Sequence, residues 1–110
     1  FEAGSLAALG GYWEFVLGST GRATVTSTGS PHSGTSHLLL DQTATYAAAQ
    51  QAILHIDLLG KTNVTLDFWQ KEFGDRAEVT DDRVQISANG VTWYTIINLT
   101  GANSEPEYQH

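Results

Sequence analysis

The sequence predicts an all-β domain built as an antiparallel two-sheet β-sandwich of the jelly-roll kind. Three observations carry this expectation. Short runs of alternating or continuous apolar residues recur at roughly 8–12-residue spacing. Gly, Ser, Asn, Asp or Pro punctuates most of the gaps between them. Only 15% of the residues are charged, and the Thr, Ser, Gly and Asn that fill the deficit suit sheets and turns rather than surface helices.

The strand-like runs, in chain order, are 12–17, 22–26, 36–42, 51–58, 63–71, 83–88 and 92–99. The first, YWEFVL, is rich in aromatic and branched residues. In the second, Ala23 and Val25 alternate with Thr24 and Thr26. The third is a continuous apolar run, Leu38 to Leu40, after the exposed loop TGSPHSG. The fourth and fifth flank LLGKTN, read as a tight connection. In the fifth, Val64, Leu66 and Phe68 alternate with Thr65, Asp67 and Trp69, the period-2 rhythm of a half-buried strand. Asn89-Gly90 is the strongest short hairpin signal, and it should turn the sixth run directly into the seventh. Segment 43–52 has helix propensity but is short and lacks a clear cap, so a loop with one helical turn at most is expected. The inward set should be Phe15, Val25, Leu38, Leu40, Leu54, Ile56, Val64, Leu66, Phe68, Val84, Ile86 and Ile96.

With 110 residues, 41% of them hydrophobic, the chain suits one globular domain, and no repeat or internal linker divides it. A net charge of −7 argues against polyanion binding, which needs clustered Lys and Arg. Cations are the more plausible charged partners. The absence of Cys excludes disulfides and thiolate metal sites. There is no 18-residue apolar run, so no membrane insertion is expected. The Lys-poor, Thr/Ser/Gly-rich, acidic composition resembles a bacterial secreted module. The start at Phe1 reads as that of a processed protein or an excised domain.

Three stretches carry a family likeness. FEAG opens the chain, SGTSHLLLD follows a loop, and AILHIDLLGKTNVTLDFWQKEFGD reads as a paired strand and return. This order is similar to MAM-type and carbohydrate-binding-module β-sandwiches of extracellular proteins. The ISANGVTWYTI hairpin also resembles the first part of bacterial modules that read iSxdGxtWy. The resemblance implies a secreted or cell-surface location. Such domains run longer and close with one or two further strands, whereas this sequence ends at NSEPEYQH. Two forms stay open: a sandwich lacking its closing strand, whose open edge would template pairing with another chain, or a smaller sandwich already closed. The resemblance also implies a structural Ca²⁺ near the Phe-Glu start, held by Glu2, Asp41 and backbone carbonyls. The plainer alternative is a solvated Glu2 and an Asp41 that caps a turn. A second acidic cluster, Glu72, Asp75, Glu78, Asp81 and Asp82, lacks the EF-hand pattern and reads as solvated surface.

Trp69 is out of phase with the apolar side of its run and shares a face with Thr65, Asp67 and Lys71. His55 and Asp57 occupy the matching polar phase of run 51–58, and Gln85 that of run 83–88. A flat ring among carboxylates and amides is what a sugar needs: its CH groups stack while its hydroxyls find partners. Tyr94 or Trp93 would add a second ring. The alternative is a Trp69 packed beneath a loop such as 43–52. Trp13 and Trp93 fit the core or sandwich rim. The S-x-N-G-x-T-W hairpin resembles an Asp-box turn with Asn in place of Asp and reads as a folding device.

Catalysis is not expected. Asp57 with Asp67, or Asp81 with Asp82, could pair, but glycoside hydrolysis needs two carboxyls about 5–9.5 Å apart across a cleft. No nucleophile elbow, zinc-binding HExxH or phosphate loop is present. Ser33, Ser36, His32 and His37 crowd one loop without the oriented base of a triad. Asn63-Val-Thr and Asn98-Leu-Thr match glycosylation acceptors, which matter only in a eukaryotic secretory chain. The sequence therefore points to a non-catalytic extracellular carbohydrate-binding module, with a glycan as partner. The alternative is an adhesive or assembly domain of a surface layer, filament or adhesin that contacts copies of itself or neighbouring domains through its sheet edges.

Overall fold

The computed structural model describes residues 1–2, 4–9, 11–43, 49–71, 82–99 and 107–110. Among them the regular structure is all-β apart from one 3₁₀ turn, Ala7–Leu9. Three small antiparallel sheets of two strands each are present. The chain divides into two units, Phe1–Thr65 and Leu66–His110.

In the first unit, β1 (Trp13–Leu17) pairs with β4 (Gln50–Leu54), and β2 (Gly21–Thr26) pairs with β3 (His37–Gln42). The register places Trp13 opposite Leu54 and Phe15 opposite Ala52. Trp13 and Phe15 therefore share a face, where their rings stack with centroids 6.2 Å apart, and Phe1 tilts onto Trp13 at 5.6 Å. In the second ribbon, Ala23 opposes Leu40 and Val25 opposes Leu38 on one face. The two ribbons touch, β1 against β2 and β4 against both β2 and β3. Ala23, 7% exposed, is the one buried hydrophobic among the described residues.

That core is much smaller than the sequence suggests. Phe15, Val25, Leu38, Phe68 and Val84 are half-buried, whereas Leu40, Leu54, Ile56, Val64, Leu66, Ile86 and Ile96 are exposed. Two-stranded ribbons cover little surface, so alternation marks an apolar face without supplying a layer to lie on it. Run 51–58 is also shorter than expected. After Leu54, His55 N still donates to Tyr12 O, but the Asp57 side chain then accepts from Leu59 N and Lys61 N closes a turn on Leu58 O. Run 63–71 forms no ladder, only a single antiparallel bridge between Gln70 and Gln109. Much of segment 43–52, and Glu72, Asp75, Glu78 and Asp81 of the acidic cluster, lie outside the described residues.

In the second unit, β5 (Arg83–Ile86) pairs with β6 (Tyr94–Asn98). A register shift between Val84 and Gln85 leaves Ile96 without a directly opposed residue. Val84 then faces Ile97 and Ile86 faces Tyr94, so the apolar phase is preserved across the bulge. The connection is longer than the two-residue turn that Asn89-Gly90 suggests. Ser87 Oγ accepts from Asn89 N and Gly90 N, and Asn89 Oδ1 accepts from Val91 N and Thr92 N. Gly90 sits at φ 71°, the left-handed region that a Cβ disfavours. These side-chain bonds make the loop a self-capped folding device, as the Asp-box likeness implies. No helix among the described residues is long and apolar enough to cross a membrane, which says nothing of membrane β-barrels.

Candidate binding face

The Gln70–Gln109 bridge organises a side-chain cluster among the described residues of the second unit. Gln70 N donates to Gln109 O at 2.9 Å, and Gln109 N donates back to Gln70 O at 2.8 Å. In an antiparallel crossing with this register, residue 69 opposes 110 and residue 71 opposes 108. The side chains follow. The Trp69 and His110 rings lie 4.6 Å apart, tilted by 32°, and Lys71 Nζ sits 4.9 Å from the centre of the Tyr108 ring. Asp67, two residues before Trp69 and on the same phase, accepts from His110 Nε2 at 2.5 Å. Asp67, Trp69, Lys71, Tyr108 and His110 thus share one face, with Trp69 still 46% exposed.

Trp69 is thus about half exposed, with the His110 ring on it and the Asp67 carboxylate bonded to that imidazole. The Asp67–His110 bond fixes the imidazole against the indole, so the polar partners are positioned before any ligand arrives. An indole flanked by a carboxylate, an imidazole and an ammonium can stack on an apolar sugar face while its neighbours meet hydroxyls. Tyr108 and His110 were missed in the sequence. The available signal was their i, i+2 spacing around Gln109, but nothing local said that this short stretch would cross Gln70.

The other candidate ligand residues are committed locally. His55 Nε2 bonds Glu14 Oε2 at 2.9 Å, and Asp57 Oδ1 accepts from Leu59 N at 2.9 Å. Gln85 Nε2 reaches Thr95 Oγ1 at 3.3 Å across the hairpin. Gln85 opposes Thr95, while Tyr94 opposes Ile86 on the neighbouring phase. Gln85 and Tyr94 therefore point to opposite faces of their ribbon.

The two expected cation ligands are each engaged with protein donors. The Glu2 carboxylate accepts from Thr35 N, Thr35 Oγ1 and Ser36 N at 2.9, 2.5 and 3.1 Å. These bonds hold its pKa below the ordinary value of 4.5, the Thr35 hydroxyl contributing most. Gly34 makes the approach possible: it has φ 67°, and a Cβ there would collide with Glu2 Oε1. Asp41 stands opposite Arg22 in the β2–β3 register and takes both arms of its guanidinium, one at 2.7 Å, which lowers the Asp41 pKa. Ca²⁺ takes six to eight oxygens, and here the Asp41 oxygens already face a cation. As arranged, both carboxylates are taken up by protein donors, which an ion there would have to displace. No cluster of three or more potential metal-ligating side chains occurs among the described residues.

Two predictions arise here. Gly34→Ala should displace Glu2 and add backbone strain of about 1–2 kcal/mol, lowering the thermal midpoint, whereas Ala at the exposed Gly11 should not. A carboxyl whose folded pKa is depressed stabilises the fold fully above its unfolded value. That contribution is lost as pH falls through the folded value. Glu2→Gln should therefore weaken the acid dependence of denaturant midpoints below pH 4.5, and an unchanged acid limb would refute the clasp.

No family model, no curated protein and no solved structure matches the chain. What the fold and this face define is a class only: an all-β chain that presents an aromatic and polar side-chain cluster at its surface.

Proposed function

We propose that the chain is a non-catalytic, extracellular carbohydrate-binding module, a sandwich-type domain in which a glycan stacks on Trp69 with Asp67 as its nearest polar partner. The observation that carries this reading is the half-exposed Trp69 ring held beside the Asp67–His110 pair. His55, Asp57, Gln85 and Tyr94 are secondary candidates, since their contacts with Glu14, Leu59, Thr95 and Ile86 do not place them beside Trp69. The test is affinity electrophoresis through gels containing plant or microbial polysaccharides. Retardation by at least one polymer is expected, and unaltered mobility in all would count against the reading.

A second reading, an adhesive or assembly domain, is favoured by a different observation. Every sheet among the described residues has only two strands, so each strand has an open edge, and large apolar side chains are exposed along them.

A structural Ca²⁺ at Glu2 and Asp41 is a separate proposal, since binding there requires both carboxylates to leave their present partners. A calcium titration followed by thermal melting decides it. A midpoint rising with calcium concentration supports the ion, and a flat response rejects it.

A further inference from the structure

Residues 64–68 hold the most regular strand pattern in the chain, yet they take part in no turn, helix or ladder and make no backbone hydrogen bond to another described residue. Val64 and Leu66 are 55% and 59% exposed. Water satisfies the N–H and C=O groups of these exposed residues in a single copy, but a strand-patterned row of them that no described residue pairs is a template for another strand. We infer that residues 64–68 pair antiparallel with the same residues of a second copy of this chain, centred on Leu66. The inference rests on the assembly reading and names its contact.

Self-complementarity selects both the partner and the register. Directly opposed residues point to the same side, so a shift by one residue would put the two apolar faces on opposite sides. Only registers centred on a residue keep them together. Centring on Asp67 would set two carboxylates face to face, which is destabilising. Centring on Thr65 would oppose Asp67 to Asn63, whose φ of 57° breaks the extended backbone, and Phe68 to Thr62. Centring on Phe68 would oppose Leu66 to Gln70, which is already bridged to Gln109. Centring on Leu66 opposes Val64 to Phe68, Leu66 to itself and Thr65 to Asp67. Six apolar side chains then share one face, each Asp67 meets a hydroxyl, and the pairing stays between Asn63 and Gln70. A two-fold contact of this kind closes as a dimer.

The chain has no cysteine, so single substitutions report the register cleanly. Thr65→Cys, Leu66→Cys and Asp67→Cys would be oxidised gently after light scattering of each. The expected result is a dimer in solution, a covalent dimer from L66C alone, none from T65C or D67C alone, and one from T65C mixed with D67C. Opposed side chains lie within disulfide reach, and those offset by two residues do not. A monomer throughout would overturn both this contact and the assembly reading. A dimer that L66C fails to trap would overturn the contact and leave the reading standing. Equal trapping at all three positions, or preference for D67C, would overturn the register.

Discussion

Ala23→Asp is expected to cost the first unit about 3 kcal/mol or more, because an unpaired carboxylate would replace a methyl at the one buried hydrophobic position among the described residues. For a unit of this size that lowers the thermal midpoint by about 12 °C or more. The effect should be far larger than that of Leu59→Asp, which adds the same charge where the side chain is 89% exposed and should stay within about 0.5 kcal/mol. Thermal melts of the two variants beside the parent make the comparison. Equal losses would mean that Ala23 is not where the two ribbons meet.

Trp69→Ala should weaken glycan binding about tenfold, since stacking on an indole contributes on the order of 1–1.5 kcal/mol. Stability should change less than binding, because the residue is already 46% exposed. His110→Ala should give a smaller loss, because His110 orients the indole and Asp67 rather than supplying the platform. A Trp69→Ala variant that binds like its parent would remove the ring from the account. A variant that fails to fold would show that Trp69 is structural.

Much of the β-architecture was legible because it is written locally. Aromatic and branched residues in Trp13–Leu17, alternation in Gly21–Thr26, and turn residues between the runs located five of the strands to within a residue or two. What did not follow from local pattern was burial. Val64, Leu66, Ile86 and Ile96 carry the right period, yet burial depends on a second surface that no local pattern specifies. The same reason explains run 63–71, whose alternation is ideal but whose only bridge is Gln70 to Gln109. In the candidate face, Trp69 and Asp67 were visible because they share a phase. Tyr108 and His110 depend on a pairing 39 residues apart in sequence, from Gln70 to Gln109, and so were not. The Glu2 clasp was hidden for a similar reason: an acid near the start of the chain says nothing of the Thr35 and Ser36 donors that receive it. Asp41 looked like a cation ligand, but the β2–β3 register places Arg22 directly across from it.

The most direct test of the glycan platform uses the three tryptophans of the chain, Trp13, Trp69 and Trp93. Replacing Trp13 and Trp93 with Phe leaves Trp69 as the sole indole, and its emission can be followed while a retarding polysaccharide is added. The account predicts a saturable shift in intensity and wavelength at concentrations that also slow the protein in the gel. Gel retardation with no change in Trp69 emission would contradict it.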